Sequence, residues 1–371
     1  MGLLVVVVFF LLGFVLSVFG RANRSFLLSV LLITIFSLLL ANRSLNTPDT
    51  EVYVMFFQNV NLDFTDFTDF RFEWGFQLLT KFIKVYITSS YRVYLGIIAF
   101  LNFFIILLAI RKLNIINLLN NDRIVCGNER YILAVLLYIS YFGIYYGGIV
   151  LRGGIALSLL IYASVLWCEN KKIWRRCKNV ILLFLCALSF HITSILALPI
   201  FLFFLSTGKY SKQKYFLFLG VVVCCYIFNI REHLSSAFLG LNVLSSVNIL
   251  NEIDGVAKVN HYLMRTEIGN GYSLKYLFFI LLGFYYVYFP FKTTIYYKYF
   301  NVYLLGLLLY VLFGGIDFIS RGLDYFLIYS FLISYMSLKR QYSNKILFWT
   351  MFVLISVCQL VLVMRIINGV L

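Results

Sequence analysis

The sequence predicts an all-α, polytopic integral membrane protein, on three observations. Hydrophobic residues make up 62% of the 371 and charged residues only 12%, too little polar surface for a water-soluble globule. Apolar runs long enough to cross about 30 Å of hydrocarbon recur along the whole chain, and in lipid each must satisfy its own backbone, as a helix does. The short alternating segments of a closed β-barrel are missing.

The first run, Gly2 to Gly20, has neither a basic start nor a small-x-small cleavage site before Arg21, and predicts a retained helix rather than a leader. Phe26 to Ala41, Tyr91 to Ile110, Tyr131 to Gly147 and Gly154 to Trp167 follow as uninterrupted apolar spans. Val180 to Leu205 predicts a short, broken pair with its break near His191. A single helix there would carry Lys209, Lys212 and Lys214 to the wrong side, and each half reaches only about 18 Å. Tyr215 to Ile230, Leu274 to Phe289, Asn301 to Ile316, Leu323 to Leu338 and Ile346 to Met364 complete the set. Counting the broken pair as two gives about twelve transmembrane helices in a single transmembrane domain, residues 1–371.

Charge orients the bundle. The loops holding Arg21 and Arg24, Arg111 to Arg130, Lys171 to Lys178, Lys209 to Lys214, Lys292 and Lys298, and Lys339 to Lys345 carry 19 of the 31 basic residues. Only Asp122, Glu129 and Glu169 oppose them, whereas the 12 remaining bases are matched by 12 acids on the other face. By the positive-inside rule the first face is cytoplasmic, which leaves both termini on the outer side. Charge spread over short membrane-flanking loops argues against a nucleic-acid partner. The seven cysteines lie in helices or in and beside the inner loops, and no Cys/His spacing fits zinc, so neither metal nor cofactor is expected.

Two outer segments are long, Asn42 to Ser90 and Arg231 to Tyr272, and long loops on a compact scaffold usually carry function. In the first, Phe72, Phe76, Leu79, Ile83 and Tyr86 recur at helical spacing around Lys81 and Lys84, which predicts an interfacial helix over Phe72 to Ile87. The acids of Asp63-Phe64-Thr65-Asp66-Phe67-Thr68-Asp69-Phe70 suit a solvated loop edge better than a calcium site, since no glycine-containing metal loop accompanies them. Tyr138, Tyr141, Tyr145 and Tyr146 suit helix packing, with a sugar path as the alternative. The charged groups at the outer boundary are Arg43 and Asp49, then Arg152 in a glycine-flanked turn, then Asp317, Arg321 and Asp324 in a second turn. Burying such groups is costly, so they face a cavity, snorkel or pair with each other. A guanidinium fork suits a pyrophosphate better than a lysine does. His191, at the apex of the broken pair, is either a structural histidine or a group beside a wet cavity.

Taken together, several pieces resemble the Wzy/EpsG-type polymerases of bacterial O-antigens and exopolysaccharides. They are Arg43 with Pro48-Asp49-Thr50 and Tyr53; Glu73-Trp74-Gly75-Phe76 with Leu78-Leu79; Leu151-Arg152-Gly153-Gly154-Ile155-Ala156-Leu157; Ser189-Phe190-His191-Ile192-Thr193-Ser194; and Arg321 with Asp324-Tyr325. Gly153 stands where this family commonly has a polar residue, and the second outer segment matches nothing in the pattern.

The resemblance implies a periplasmic-face glycosyltransferase that moves a growing glycan from one undecaprenyl pyrophosphate carrier onto a carrier-linked repeat unit. Its partners would be that lipid-linked glycan, membrane lipid and, in the same membrane, a chain-length regulator. On this expectation Arg152 and Arg321, with Arg43 in support, clamp the pyrophosphate, and Asp317, Asp324 and Tyr325 bind glycan. Asp49 or His191 takes the acceptor proton, and Glu73 orients a sugar hydroxyl or holds an arginine. A flippase of lipid-linked sugars, a polysaccharide ligase and another membrane transferase are the alternatives, although charged residues within helices and internal repeats, the marks of a transporter, are not seen.

Overall fold

The computed structural model describes residues 3–19, 25–65, 72–119, 131–169, 173–198, 200, 205, 207–230, 232–234, 274–314 and 317–367, and the described residues form helices and no strand. The chain divides into two compact units, one of Met1–Phe201 with Gln341–Leu371 and one of Leu202–Arg340.

The first unit contains α1 (Leu3–Phe19), α2 (Ser25–Ala41), two short helices α3 (Thr50–Asn59) and α4 (Trp74–Tyr86), α5 (Tyr91–Leu119), α6 (Tyr131–Gly148), α7 (Leu151–Trp167), α8 (Ile173–Phe190) and, from the chain's end, α14 (Lys345–Ile367). A π turn, Ile139–Gly143, interrupts α6. Here the Ser140 hydroxyl donates to Gln359 Oε1, so a buried polar pair ties α6 to α14. Helices α2 and α7 both pack on α5, and α7 also packs on α8. Gly96 brings α5 against Ala41 of α2, while Gly143 and Gly147 leave room for the Phe103 ring.

Helix α8 ends at Phe190, as the expected break requires. His191 is extended, with φ −158° and ψ 115°, and a 3₁₀ turn, Ile192–Ala197, follows. The helix expected over Phe72 to Ile87 also forms, as Trp74–Tyr86. Helix α4 buries Phe76, Thr80 and Ile83 against the unit and turns Trp74, Leu78, Phe82 and Tyr86 outward at four-residue spacing. Its two lysines are clamps rather than solvated charges: Lys81 is buried and donates to the Asp63 carbonyl, and Lys84 donates to the Gln58 carbonyl at 2.7 Å. Asp63 itself forms a tight polar turn, its Oδ1 accepting from the Thr65 amide at 2.8 Å; residues 66–71 of the acidic repeat lie outside the described residues.

Helix α3 lies within the outer segment Asn42 to Ser90, where no helix is expected before Phe72. Its buried face, Thr50, Tyr53, Val54, Phe56 and Phe57, joins Phe72, Phe76 and Tyr94 in an aromatic cluster. Phe56 stacks on Phe72 at 4.1 Å and Phe57 on Tyr94 at 4.4 Å. Tyr138, Tyr141 and Tyr146 are buried, and the Tyr138 hydroxyl donates to Asn102 at 2.9 Å, so these three serve packing.

The second unit contains α9 (Lys212–Ile227), α10 (Leu274–Tyr288), α11 (Thr294–Phe313), α12 (Asp317–Leu327) and α13 (Ser330–Gln341). Ser211 and Thr293 cap α9 and α11, their side chains accepting from the amides three residues on. The run Leu323 to Leu338, expected as one span, is divided between α12 and α13. At the junction the Tyr286 hydroxyl donates to the Ser330 carbonyl and accepts from the Ser334 hydroxyl at 2.6 Å. Most of Arg231 to Tyr272 lies outside the described residues.

Among the described residues four helices, α5, α6, α11 and α14, are long and apolar enough to cross a membrane alone. Helices α2, α7 and α10 are apolar but shorter. At 1.5 Å per residue, the 17 residues of α2 or α7 reach about 25 Å.

Candidate functional site

Four of the five motif pieces meet in the first unit, at the C-terminal ends of α2 and α8 and the N-terminal end of α7, against α3 and α4. Glu73 is their hub. Its Oε2 accepts from Arg152 Nη1 at 2.5 Å, and its Oε1 faces His191 Nδ1 at 3.1 Å and the Ile192 amide at 3.3 Å. The three side chains are 19%, 23% and 21% exposed for Glu73, Arg152 and His191, open enough for a ligand yet largely shielded from water.

Glycines set this geometry. A Cβ on Gly75, two residues after Glu73, would lie 2.3 Å from Ser189 Oγ and 2.7 Å from the Ser189 carbonyl, so only glycine lets α4 dock beside His191. A Cβ on Gly154 would lie 2.5 Å from the Tyr146 carbonyl, which fixes the approach of α7 to α6. At Gly153 the nearest imidazole atom of His191 would stand 3.4 Å away, in ordinary contact, so the ring rests on the first turn of α7.

Arg152 also lies over the Phe72 ring, 4.9 Å from its centroid, and its side chain and backbone N–H both face the Tyr53 hydroxyl. Arg43 is 7% exposed. Its Nε donates to Thr50 Oγ1 at 2.9 Å and its Nη1 to the Leu40 carbonyl at 3.3 Å. No carboxylate is paired with it among the described residues. Burial therefore draws its pKa down from 12.5 to about 10, with partial compensation from the nearby Tyr53 and Tyr94 phenols. Burial likewise raises the Tyr53 pKa, against the pull of Arg152, and keeps the phenol neutral at physiological pH.

Glu73 behaves oppositely. Burial alone would raise its pKa, but the His191 hydrogen bond and the Arg152 charge outweigh it and hold the carboxyl at about 2, below its ordinary 4.5. The stability that this depression confers is present above pH 4.5 and is lost as pH falls toward 2. On the order of 3 kcal/mol is at stake. Thermal denaturation of the detergent-solubilised protein from pH 7 to pH 3 is expected to show a falling midpoint that Glu73→Gln flattens; a wild-type curve as flat as the variant's would contradict the ion pair.

The remaining predicted residues are placed as follows. Asp49 is exposed at the start of α3, in the left-handed region at φ 59°, and its carboxylate makes no capping bond, although it lies within electrostatic reach of Tyr53. In the second unit Asp324 is buried and accepts from Lys275 Nζ at 3.0 Å, and Tyr325 is buried on the same helix. The side chains of Asp317 and Arg321 lie outside the described residues. The sequence placed Phe72 on the face of a helix and Thr50 and Gly75 within motif pieces, without their contacts to Arg152, Arg43 and Ser189. Their signal was present, since Thr50 and Tyr53 share a face of α3 and Gly75 follows Glu73 by two.

The model of the EpsG family matches residues 26–369. The chain belongs to the EpsG family. With its apolar helices, EpsG membership makes it a membrane-embedded protein of the polysaccharide-polymerase type with a general transferase role. No curated protein and no solved structure matches it.

Proposed function

We propose that this EpsG-family protein is a glycosyltransferase of the bacterial inner membrane, acting at the periplasmic face to polymerise undecaprenyl-pyrophosphate-linked oligosaccharide repeat units into O-antigen or a related polysaccharide. The observation that carries the proposal is the division of the Glu73 carboxylate between Arg152 and His191. Glu73, ionised and doubly engaged, is a poor base and a good organiser. Its bond fixes the proton on His191 Nδ1 and leaves the Nε2 lone pair to act, the arrangement of an oriented general base. This favours His191 over the exposed Asp49.

In the proposed step the acceptor hydroxyl oxygen attacks the anomeric carbon of the donor glycan, and its proton passes to His191 Nε2. The bond from that carbon to the diphosphate oxygen breaks, and undecaprenyl diphosphate leaves with the electron pair. Arg152 and Arg43 stabilise the departing charge, and catalysis is mainly positioning and electrostatics. Arg43 suits this task because it is a buried guanidinium with no carboxylate beside it among the described residues, and burial lowers its pKa to about 10, so an arriving anion supplies the counter-charge it lacks. Arg321, Asp317, Asp324 and Tyr325 are retained from the sequence motif as diphosphate- or glycan-binding residues, with Asp324 held by Lys275. The excess positive charge of the inner loops supports the periplasmic assignment.

Analysis of lipid-linked glycans from a deletion strain, with plasmid rescue, tests the proposal. The strain is expected to accumulate single repeat units on the carrier. Rescue with Arg152→Ala or His191→Ala is expected to leave protein in the membrane and no long-chain glycan. Finished polymer on the carrier would instead mark a ligase, units trapped inside a flippase, and wild-type ladders from Arg152→Ala would end the role assigned to that residue.

A further inference from the structure

Helix α9 has two unlike faces. Tyr215, Leu219 and Val222 are buried, and Leu219 fills the space left by Gly283 of α10, where an added Cβ would lie 2.9 Å from its Cδ2. The rest of the helix is open, with Leu217, Val221 and Phe228 exposed. Along that side runs a hollow of about 730 Å³, with Gln213 at one end and apolar side chains lining the remainder. From Gln213 to Cys224 the rise is about 16 Å, close to the roughly 15 Å hydrocarbon depth of one leaflet.

Gly220 lies within that stretch, in the helix interior, where glycine weakens a helix relative to alanine. No neighbouring element demands it. Unlike Gly283, it receives no side chain, and an added Cβ would meet nothing within 4 Å. Glycine there leaves the backbone bare to whatever occupies the hollow. Positive charge stands at the Gln213 end. Lys212 Nζ is 5.5 Å from the centroid of Phe216, one of the lining rings, and 4.8 Å from that of Tyr288. Lys209 and Lys214 flank it in the chain, and among the described residues none of the three forms an ion pair.

An ammonium at the rim of an apolar trough complements a ligand with an anionic head and a hydrocarbon tail. These lysines belong to the face that the positive-inside rule assigns to the cytoplasm, where anionic phospholipids supply such heads. The depth of the trough suits an acyl chain of one leaflet better than the much longer tail of a polyprenyl carrier. We propose that α9 carries a binding site for one anionic glycerophospholipid, its phosphate at Lys212 and Gln213 and one acyl chain lying over Gly220. The site lies within the second unit and needs nothing of the glycosyl-transfer reading.

Native mass spectrometry of the purified full-length protein in detergent, titrated with dioleoylphosphatidylglycerol or dioleoylphosphatidylcholine, tests the site. Wild type is expected to retain one phosphatidylglycerol in preference to phosphatidylcholine. Lys212→Gln is expected to weaken phosphatidylglycerol about fivefold and to leave phosphatidylcholine unchanged, the worth of one lysine at an anionic lipid head. Gly220→Leu is expected to abolish retention of both lipids. Its lipid-free thermal midpoint should equal or exceed wild type, since the new side chain starts in open space and leucine favours the helix. Val357→Phe, an enlargement at an exposed position of α14, is expected to change neither retention nor preference. Equal retention of the two lipids, or an undiminished preference in Lys212→Gln, would overturn the site. Wild-type retention in Gly220→Leu would do the same, as would a loss in Val357→Phe, which would mean a general lipid coat. Farnesyl phosphate displacing phosphatidylglycerol at equal concentration would overturn the phospholipid assignment. Should Gly220→Leu lower the lipid-free midpoint, the headgroup preference and its loss in Lys212→Gln still decide.

Discussion

Glu73→Gln is expected to stop chain extension almost completely while changing the shape of the side chain hardly at all. Glutamine can accept at Oε1 but must present an NH₂ where the second carboxylate oxygen stood. That oxygen faces either the Arg152 guanidinium or the His191 imidazole and the Ile192 amide, so a donor meets a donor on one side. A partly buried guanidinium loses its counter-charge, which typically costs about 3–5 kcal/mol for a buried pair and somewhat less at the 23% exposure of Arg152. The imidazole loses the group that fixes its tautomer. A fall of about a hundredfold or more in the rate of extension is expected. The measurement is initial-rate polymerisation of lipid-linked repeat units in proteoliposomes, alongside the amount of protein in the membrane. Rates within a few-fold of wild type would show that the hub serves stability alone.

Gly75→Ala is expected to be as damaging without touching a charge. Its Cβ would meet both Ser189 Oγ and the Ser189 backbone carbonyl at distances no real contact shows, so either α4 or the end of α8 must shift. Overpacking of this kind costs about 1–3 kcal/mol. The displaced element carries Glu73 or His191, and a misplacement of about 1 Å can cost a hundredfold in rate. Adding Ser189→Ala should not rescue the variant, because the carbonyl stays. A control is available at Gly220 in the interior of α9, where an added Cβ meets nothing within 4 Å; Gly220→Ala is expected to be neutral or stabilising by about 0.5–1 kcal/mol. Denaturation midpoints in detergent separate the two glycines, and equal effects would contradict the packing argument.

Much of this arrangement was legible in the sequence. The lipid solvent fixed helices as the fold class, and the placement of Lys209, Lys212 and Lys214 forced the break that the extended His191 provides. Hydrophobic spacing found α4, although its outward stripe of Trp74, Leu78, Phe82 and Tyr86 runs beside the face it buries, and the two were not separable from periodicity. Helix α3 escaped notice because ten residues give barely three turns, and its start at Pro48-Asp49 reads as a turn. The arginines were visible as charges at a boundary, but pairing is a three-dimensional fact. Nothing local to Arg152 announces a carboxylate 79 residues earlier, nor does Arg43 announce that it has none. The division of Leu323 to Leu338 into two helices was equally hidden, since every residue around the junction is acceptable in a continuous span.

The distance along the chain between Glu73 and His191 has a consequence for biosynthesis. The carboxylate emerges from the ribosome 118 residues ahead of the imidazole. At about 5–20 residues per second this is a wait of about 6–24 s, during which α5, α6, α7 and α8 are synthesised. Throughout that interval the chain lacks the histidine proposed as proton acceptor, and Arg152 reaches Glu73 first. Folding therefore has a built-in order, charge neutralisation before catalytic competence, and a nascent chain stalled before α8 is complete would be inserted but inert.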